Sequence, residues 1–282
     1  MNKLSIIGNP VSHSLSPVMH NAAFKYLGMG YEYTSIELEP NELKDFTDRA
    51  RKEYIGFNVT VPYKTEIIRY LDTVSPEAEF AESVNTVLVK NKKLHGYSTD
   101  GYGFEHAIVE SFNADGKNEK YFFIGCGGAA KAVIAHLLLL GVKKIIIANR
   151  TESKAEEFAV RLRKENPGAE ILSCGLISEE IADHLKDLPI VVQSTSLGLK
   201  KDDALPFNPE FLKSGTRVFD MIYRDTAFLR ESKKRGCIAV NGLLMLLYQG
   251  VKSFEIWTGK KAPVEVMKKT LVMQSKAIDY RP

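Results

Sequence analysis

Residues 120–151, KYFFIGCGGAAKAVIAHLLLLGVKKIIIANRT, decide the fold class of this chain. KYFFIG is a short apolar run, GCGGAAKAVIAHLLLLG a glycine loop running into an apolar helix, and KKIIIANRT a second apolar run. Strand, helix and strand within about thirty residues form a βαβ unit, which sets the two strands parallel. Gly125, Gly127 and Ala130 stand in a G-x-G-x-x-A pattern at the strand-to-helix junction. There Gly125 permits a tight turn, Gly127 lets the main chain approach a pyrophosphate, and Ala130 lets helix pack closely on strand. Gly128 and Ala129 keep the loop free of bulk, and the helix N-terminus offers unpaired N–H groups to an anion. A dinucleotide site is the expectation; a purely structural tight turn is the other reading of the same glycines.

The end of the second strand discriminates between cofactors. A site for NAD commonly carries Asp or Glu there to bind the ribose 2′-hydroxyl. This chain has Asn149, Arg150 and Thr151, with Lys154 one turn on. Cations suit a 2′-phosphate, so NADP is expected. The alternative is that Arg150 and Lys154 only decorate a helix start, where the helix dipole slightly disfavours them.

Working outward, PIVVQST (189–195), TRVFDMI (216–222) and CIAVNG (237–242) supply further buried parallel strands of a doubly wound sheet. The first hundred residues alternate strand and helix signals: LSII (4–7), a helix from Ser16-Pro17 to about Leu27, YEYTSIEL (31–38), a helix after Pro40, IGFNVTV (55–61), and a helix over 63–71. Ser16 followed by proline predicts an N-cap with proline at the first helical position. TVLVKNKKLHGYST (86–99) predicts a hairpin about its NKK turn, giving a mostly parallel sheet with an antiparallel edge. A helix over about 101–112 leads into the polar ADGKNEK (114–120), a boundary or surface loop, and the residues after Gly242 are helical. The expectation is an α/β protein of two domains: residues 1–103 with 242–282 forming a mixed α/β substrate domain, and 104–241 a Rossmann-like domain.

Bulk composition excludes several classes. A net charge of +3 from 38 basic and 35 acidic residues, without a long basic run, argues against a nucleic-acid partner. Cys126, Cys174 and Cys237 are odd in number and widely spaced, which suggests neither a disulfide framework nor a metal site and fits a reducing cytoplasm. The N-terminus has too short an apolar core for a secretory signal, and the longest apolar stretch, 136–148, is interrupted by Gly141 and Lys143-Lys144, so no membrane segment is expected.

Four ordered polar clusters remain: GNPVSHSLSPVMHNAAF (8–24), GFNVTVPYK (56–64), ESVNTV (82–87) and STDGYGF (98–104). Hydroxyl and amide side chains at the ends of strand-like runs suit a small hydroxylated ligand, since each hydroxyl of such a ligand needs a partner. With GCGGAA and NRT, these clusters make the chain resemble the shikimate dehydrogenase family, NADP-linked oxidoreductases, nearly end to end. The resemblance implies that the C-terminal helices return to the first domain, that the active site lies in the cleft between domains, and that domain closure excludes water. It implies reversible reduction of 3-dehydroshikimate to shikimate with NADPH, within aromatic amino-acid biosynthesis, by a monomer or homodimer that needs no metal.

By the same resemblance Ser14 and Ser16 bind the substrate carboxylate, while Asn58, Thr60, Asn85, Asp100 and Gln249 surround its hydroxyls and Tyr223 closes the pocket. Thr195, Gly198, Met221 and Gly242 fall on the cofactor. Hydride exchange with a secondary alcohol also moves one proton, and Lys64 beside Asp100 is the implied acid/base pair. A lysine titrates far above neutrality; burial lowers that value and a neighbouring carboxylate raises it again. Taken singly, these residues have plainer readings: Lys64 a solvated lysine at a helix start, Asp100 an N-cap, the serines caps, Gln249 solvated, His13 and His20 structural.

Three features depart from the family pattern. Ser98 stands where Asn is usual, Gln193 where the QSTSLGL segment usually begins with Asn, and the loop after Tyr223 is about two residues short and lacks its proline. The S-x-S of Ser14 and Ser16 matches shikimate preference. A quinate/shikimate dehydrogenase, a non-catalytic NADP-binding homologue and a tetrahydrofolate-linked dehydrogenase remain the competing readings.

Overall fold

The computed structural model describes residues 2–176, 180–200 and 202–279. The chain divides into two compact units, one of residues 1–104 and 246–282, the other Glu105–Met245.

The first unit is built on β1 (Asn2–Gly8), α1 (Ser16–Tyr26), β2 (Tyr31–Glu37), α2 (Leu43–Glu53), β3 (Tyr54–Val59), β4 (Thr73–Val74), α3 (Pro76–Ala81), β5 (Thr86–Lys90) and β6 (Lys93–Tyr97). Its six strands lie in the order β2-β1-β3-β5-β6-β4. Only β5 runs against its neighbours, pairing antiparallel with β3 and with β6. The antiparallel strand is therefore interior, not at the edge as the sequence suggested, because the two-residue β4 pairs parallel to β6 and closes the sheet beyond it. The NKK hairpin forms as expected: Asn91 and Lys92 take φ of 54° and 61°, both central residues of a two-residue turn.

One face of this sheet is closed by α2, whose Leu43, Phe46 and Ala50 pack on Phe57, Val59 and Val87. Each such large side chain contributes about 1.5–3 kcal/mol on full burial. Against the sheet also stands an aromatic stack of His20, Phe24, Tyr33, Phe254 and Trp257, the last two from α9 (Leu243–Thr258). Trp257 can bring the Cδ1–Nε1 edge of its indole against β3 because Gly56 has no side chain: a Cβ there would come within 2.3 Å of that edge. The indole N–H donates to the Val87 carbonyl at 2.9 Å.

Two local expectations need correction. Leu15, not Ser16, holds the N-cap position of α1, and Ser16 is its first helical residue; the Ser14 hydroxyl accepts the Ser16 amide at 3.2 Å and so starts the turn one residue early. The helix expected over 63–71 is only a 3₁₀ segment, Glu66–Tyr70. Its would-be first turn is diverted, since the Lys64 carbonyl accepts the Val84 amide at 2.9 Å instead of an amide of its own segment.

The second unit comprises β7 (Lys120–Ile124), α5 (Gly128–Leu140), β8 (Lys144–Asn149), α6 (Glu152–Glu165), β9 (Glu170–Gly175), α7 (Glu180–His184), β10 (Ile190–Gln193), β11 (Arg217–Asp220), α8 (Ala227–Lys234) and β12 (Ile238–Asn241). Its strand order is β12-β11-β10-β7-β8-β9, parallel throughout. Counted from β7 this is 6-5-4-1-2-3, the doubly wound dinucleotide-binding order, with its reversal between β7 and β10. The helix start read at Arg150–Lys154 is that of α6, whereas strand β9 after it was not anticipated. The remaining helices are α4 (Asp100–Phe112) and α10 (Val264–Asp279). No helix among the described residues is long and apolar enough to cross a membrane.

Candidate active site

In the first unit the ends of β3, β5 and β6 bring the polar clusters of the sequence together. The Lys64 ammonium lies 2.5 Å from Asp100 Oδ2. Both side chains are withdrawn from water, with 15% and 7% of their surface exposed, so Lys64 is not a solvated lysine. Asp100 is the first residue of α4, and its carboxylate is turned to side chains: Oδ1 accepts from Asn85 Nδ2 at 2.8 Å.

What fixes the Asn85 amide is a buried knot of hydroxyls. Asn85 Oδ1 accepts from the Thr99 backbone N–H at 2.7 Å, which leaves Nδ2 facing Asp100. Nδ2 also reaches Thr99 Oγ1 at 2.9 Å and Gln249 Oε1 at 3.4 Å. Thr86 and Ser253 share a hydrogen bond of 2.7 Å, and Ser253 in turn donates to the Gln249 carbonyl at 2.9 Å. Asn58 continues the chain: its Nδ2 donates to the Asn85 carbonyl at 2.9 Å and to Thr86 and Ser253, and its Oδ1 accepts from the Tyr33 phenol at 2.7 Å. The Tyr33 phenol also hydrogen-bonds the Ser16 side chain, and burial raises it well above its ordinary range, so it remains a neutral donor. Networks satisfied in this way hold their members rigidly.

Of the residues singled out in the sequence, Ser16, Asn58, Asn85, Lys64, Asp100 and Gln249 join this connected array, and Ser14 adjoins it through the Ser16 amide. Thr60 lies with its methyl against Gly8, where a Cβ would approach to 2.4 Å. Asn58 spends both ends of its amide inside the network. Tyr33, Thr86, Thr99 and Ser253 are members that sequence reading missed; Thr86 directly after Asn85 and Thr99 directly before Asp100 offered a signal for the threonines, and nothing local did so for Ser253. His20, fully buried beneath Tyr33 with no hydrogen bond to either ring nitrogen, is held neutral by desolvation, which pushes its pKa down to about 3.

In the second unit the glycine loop lies at the sheet's reversal point. Gly125 has φ of +102°, donates its N–H to Ala148 at 2.7 Å, and faces Thr195, whose Cγ2 a Cβ would meet at 2.8 Å. Gly127 is the N-cap of α5, and a Cβ there would stand in open space. The helix start has no side-chain cap and no acidic residue in its first turn, leaving Gly128 and Ala129 N–H groups for an anion, while buried Ala130 packs inward. Lys131 and Lys154 both act electrostatically on the intervening Cys126 thiol, although burial outweighs them and pushes that thiol up. Arg150, Thr151 and Lys154 are exposed at the end of β8, and Asn149 Nδ2 donates to the Thr151 carbonyl at 2.9 Å. Two ammonium groups, an exposed guanidinium and an uncapped helix N-terminus fit a phosphate-rich dinucleotide. Among the described residues no group of three or more His, Cys, Asp and Glu could hold a metal ion.

The comparisons with known proteins converge. A model described as Shikimate dehydrogenase substrate binding domain matches residues 6–87, Shikimate / quinate 5-dehydrogenase matches 107–199, and Shikimate 5'-dehydrogenase C-terminal domain matches 242–272. A curated shikimate dehydrogenase (NADP(+)) of Desulforamulus reducens is 42% identical over 277 residues, covering 95% of this chain and 94% of its own length. The chain belongs to the shikimate dehydrogenase family. Its similarity extends to the shikimate dehydrogenase (NADP(+)) of Methanopyrus kandleri, 38% identical over 96% of this chain and 95% of that one. Among solved structures, the shikimate 5-dehydrogenase of Listeria monocytogenes, in complex with shikimate and NAD, superposes with a TM-score of 0.87 at 35% identity, covering 96% of each chain.

The remaining residues that the shikimate dehydrogenase resemblance marks lie in the second unit. Gly198 has φ of +110° and packs on Thr226, and Gly242 lies so close to Met221 that a Cβ would come within 2.3 Å of the Met221 carbonyl. Tyr223 is half-buried after β11, and burial pushes its phenol up.

Proposed function

We propose that this protein catalyses the NADPH-dependent, reversible reduction of 3-dehydroshikimate to shikimate, a step of aromatic amino-acid biosynthesis. The observation that carries the reading is the buried Lys64–Asp100–Asn85 chain, a proton donor held in fixed alignment by a carboxylate that is itself held by an amide. NADPH, when bound, supplies the hydride that reduces the substrate carbonyl carbon. Gly125, Gly127, Gly128 and the N–H groups of α5 receive its phosphates, and Arg150 and Lys154 its 2′-phosphate.

The Lys64 ammonium donates the proton to the oxygen on which negative charge gathers, and Asp100 holds that ammonium and a substrate hydroxyl in line. In the reverse direction Lys64 takes the hydroxyl proton back. The Asp100 negative charge also keeps a second anion away from the lysine, so the substrate carboxylate falls to the hydroxyls of Ser14 and Ser16. Gln249, whose Nε2 spends one hydrogen on the Leu246 carbonyl, presents the other to a ring hydroxyl, while Asn85 holds Asp100 in place. Asn58, with its amide already used, supports the wall of this pocket.

Every residue assigned lies in one chain, so a monomer or a homodimer satisfies the reading; three free cysteines support a cytoplasmic setting. The test is NADPH oxidation followed at 340 nm with 3-dehydroshikimate, beside quinate oxidation with NAD, in the wild type and Lys64→Ala. NADPH-dependent turnover that falls at least a hundredfold in the variant is the expected result. Coenzyme binding without turnover of either substrate points to a non-catalytic homologue.

A further inference from the structure

Strand β10 ends in Gln193, fully buried and directly beside Asp220, the last residue of β11. Gln193 Nε2 donates to the carbonyls of Thr195 at 3.3 Å and Leu197 at 3.0 Å and to Asp220 Oδ1 at 3.4 Å, while its Oε1 accepts the Thr195 amide at 2.5 Å. Asp220 Oδ1 also accepts the Ile222 amide at 3.0 Å, and Oδ2 the Thr226 hydroxyl at 2.7 Å. Main-chain bonds extend the tie: Met221 N–H to the Gln193 carbonyl at 2.9 Å, and Gly242 N–H to the Ile222 carbonyl at 3.1 Å. One amide and one carboxylate, neither touching solvent, thus join the loops that leave the adjacent parallel strands β10 and β11, and the Gly242–Ile222 main-chain bond adds the turn after β12.

Ligands of doubly wound sheets bind beyond the carboxyl ends of the strands, one mononucleotide to each half of the sheet. Arg150, Lys154 and the glycine loop occupy the β7–β8 half and suit the adenosine end. The β10–β12 half is left for the other end. We propose that Gln193 and Asp220 form a latch that holds loops 194–198, 221–226 and the turn at Gly242 in the shape that receives the nicotinamide end of the coenzyme. Both are positioning residues, since neither is exposed to touch a ligand. The inference rests on the NADPH reading above.

A purely structural account fits poorly. Burial pushes the Asp220 carboxyl up to about 6, so the site keeps an ionised group at neutral pH against its own desolvation. An apolar pair would fill such a strand end without that cost. What the polar pair adds is direction: it dictates which amides and carbonyls of the two loops point inward, and so which remain outward.

The test compares the full-length wild type with Gln193→Leu. NADPH and adenosine 2′,5′-bisphosphate, which carries only the adenosine end, are titrated by calorimetry, and amide hydrogen exchange is measured over 194–198 and 221–226. The latch predicts an NADPH affinity lowered about tenfold, adenosine 2′,5′-bisphosphate affinity within about twofold of wild type, and faster exchange in both loops. The KM for NADPH should rise while that for 3-dehydroshikimate holds. Equal losses of both ligands would mean general loosening of the unit and overturn the proposal, as would unchanged NADPH affinity despite faster exchange. Gln193→Asn, one methylene shorter, gives the same pattern at smaller amplitude and serves if the leucine variant fails to fold. A wild type that binds neither probe removes the NADPH reading itself, and this inference with it; a wild type that binds both, with a variant of equal affinity for each, removes only the latch.

Discussion

Replacing Asp220 by Asn should make the protein more stable at neutral and alkaline pH. The carboxyl is fully buried, and its pKa is raised by desolvation from 3.8 to about 6, although Thr226 and the Ile222 amide partly oppose the shift. In the unfolded chain it titrates at the ordinary value. A folded value above the unfolded one means that the folded state holds the proton more tightly. The stabilisation from protonation is complete below about pH 4 and is lost as pH rises through about 6. Two pH units at 1.36 kcal/mol each set the size of the effect at roughly 3 kcal/mol. Asparagine imitates the protonated form at every pH, less about 1 kcal/mol for the poorer fit of an amide to the Thr226 hydroxyl. At pH 8 the variant should therefore gain about 1–3 kcal/mol, or roughly 2–4 °C of Tm for each kcal/mol in a domain of this size. Urea unfolding of both proteins between pH 4 and pH 8 isolates the effect, because carboxylates elsewhere cancel in the difference between the two curves. That difference should be near zero or slightly against the variant at pH 4 and should grow through pH 6. A variant that is less stable at pH 8, with a difference independent of pH, would refute the reasoning.

Other perturbations separate the two units and their tasks. Gly56→Ala drives a methyl into the Trp257 indole at 2.3 Å and toward the Val87 carbonyl at 2.6 Å; a loss of about 1–3 kcal/mol is expected in urea unfolding, with red-shifted emission from Trp257, the chain's single tryptophan. Gly125→Ala and Gly127→Ala should part company. The first meets a positive φ and Thr195 and lowers Tm, while the second enters open space, leaves Tm unchanged and weakens NADPH binding in calorimetry. Arg150→Ala and Lys154→Ala should each raise the Kd for NADPH about tenfold and leave that for NADH nearly unchanged, measured by coenzyme fluorescence.

Much of the second unit was legible because its decisive contacts are local. The start of α5 and the Asn149-Arg150-Thr151 segment are each fixed within a few residues of chain, so spacing alone predicts them, and the turn at Gly125, although bonded to Ala148 and set against Thr195, is marked by its glycines. Strand β9 escaped because EILSCG is an edge strand, buried at Ile171 and Cys174 but carrying Glu170 and Ser173, and reads as neither periodic nor wholly apolar. The Lys64 segment read as a helix until tertiary pairing of its carbonyl with Val84 intervened. In the site, Lys64, Asp100 and Asn85 stood out by motif, whereas Ser253 did not. Its bond to Thr86 spans 167 positions, and a serine midway along an apolar helix has no local mark of its partners. Gln193 was recognisable only as a departure; its length matters because it must reach Leu197 and Asp220 at once.

Trp257 seated on Gly56, with Gln249 and Ser253 beside Asn85, has a consequence for how the protein is made. The ribosome delivers the sheet and Lys64 before the second unit, yet the helix that completes their environment emerges only after that unit. In the interval Glu105–Met245, a continuous segment, has all its own strands available and can fold first. The earlier-born unit must wait with the Gly56 surface uncovered. A released chain truncated at residue 245 should therefore show a protease-resistant middle and a digestible beginning, the reverse of the order of synthesis.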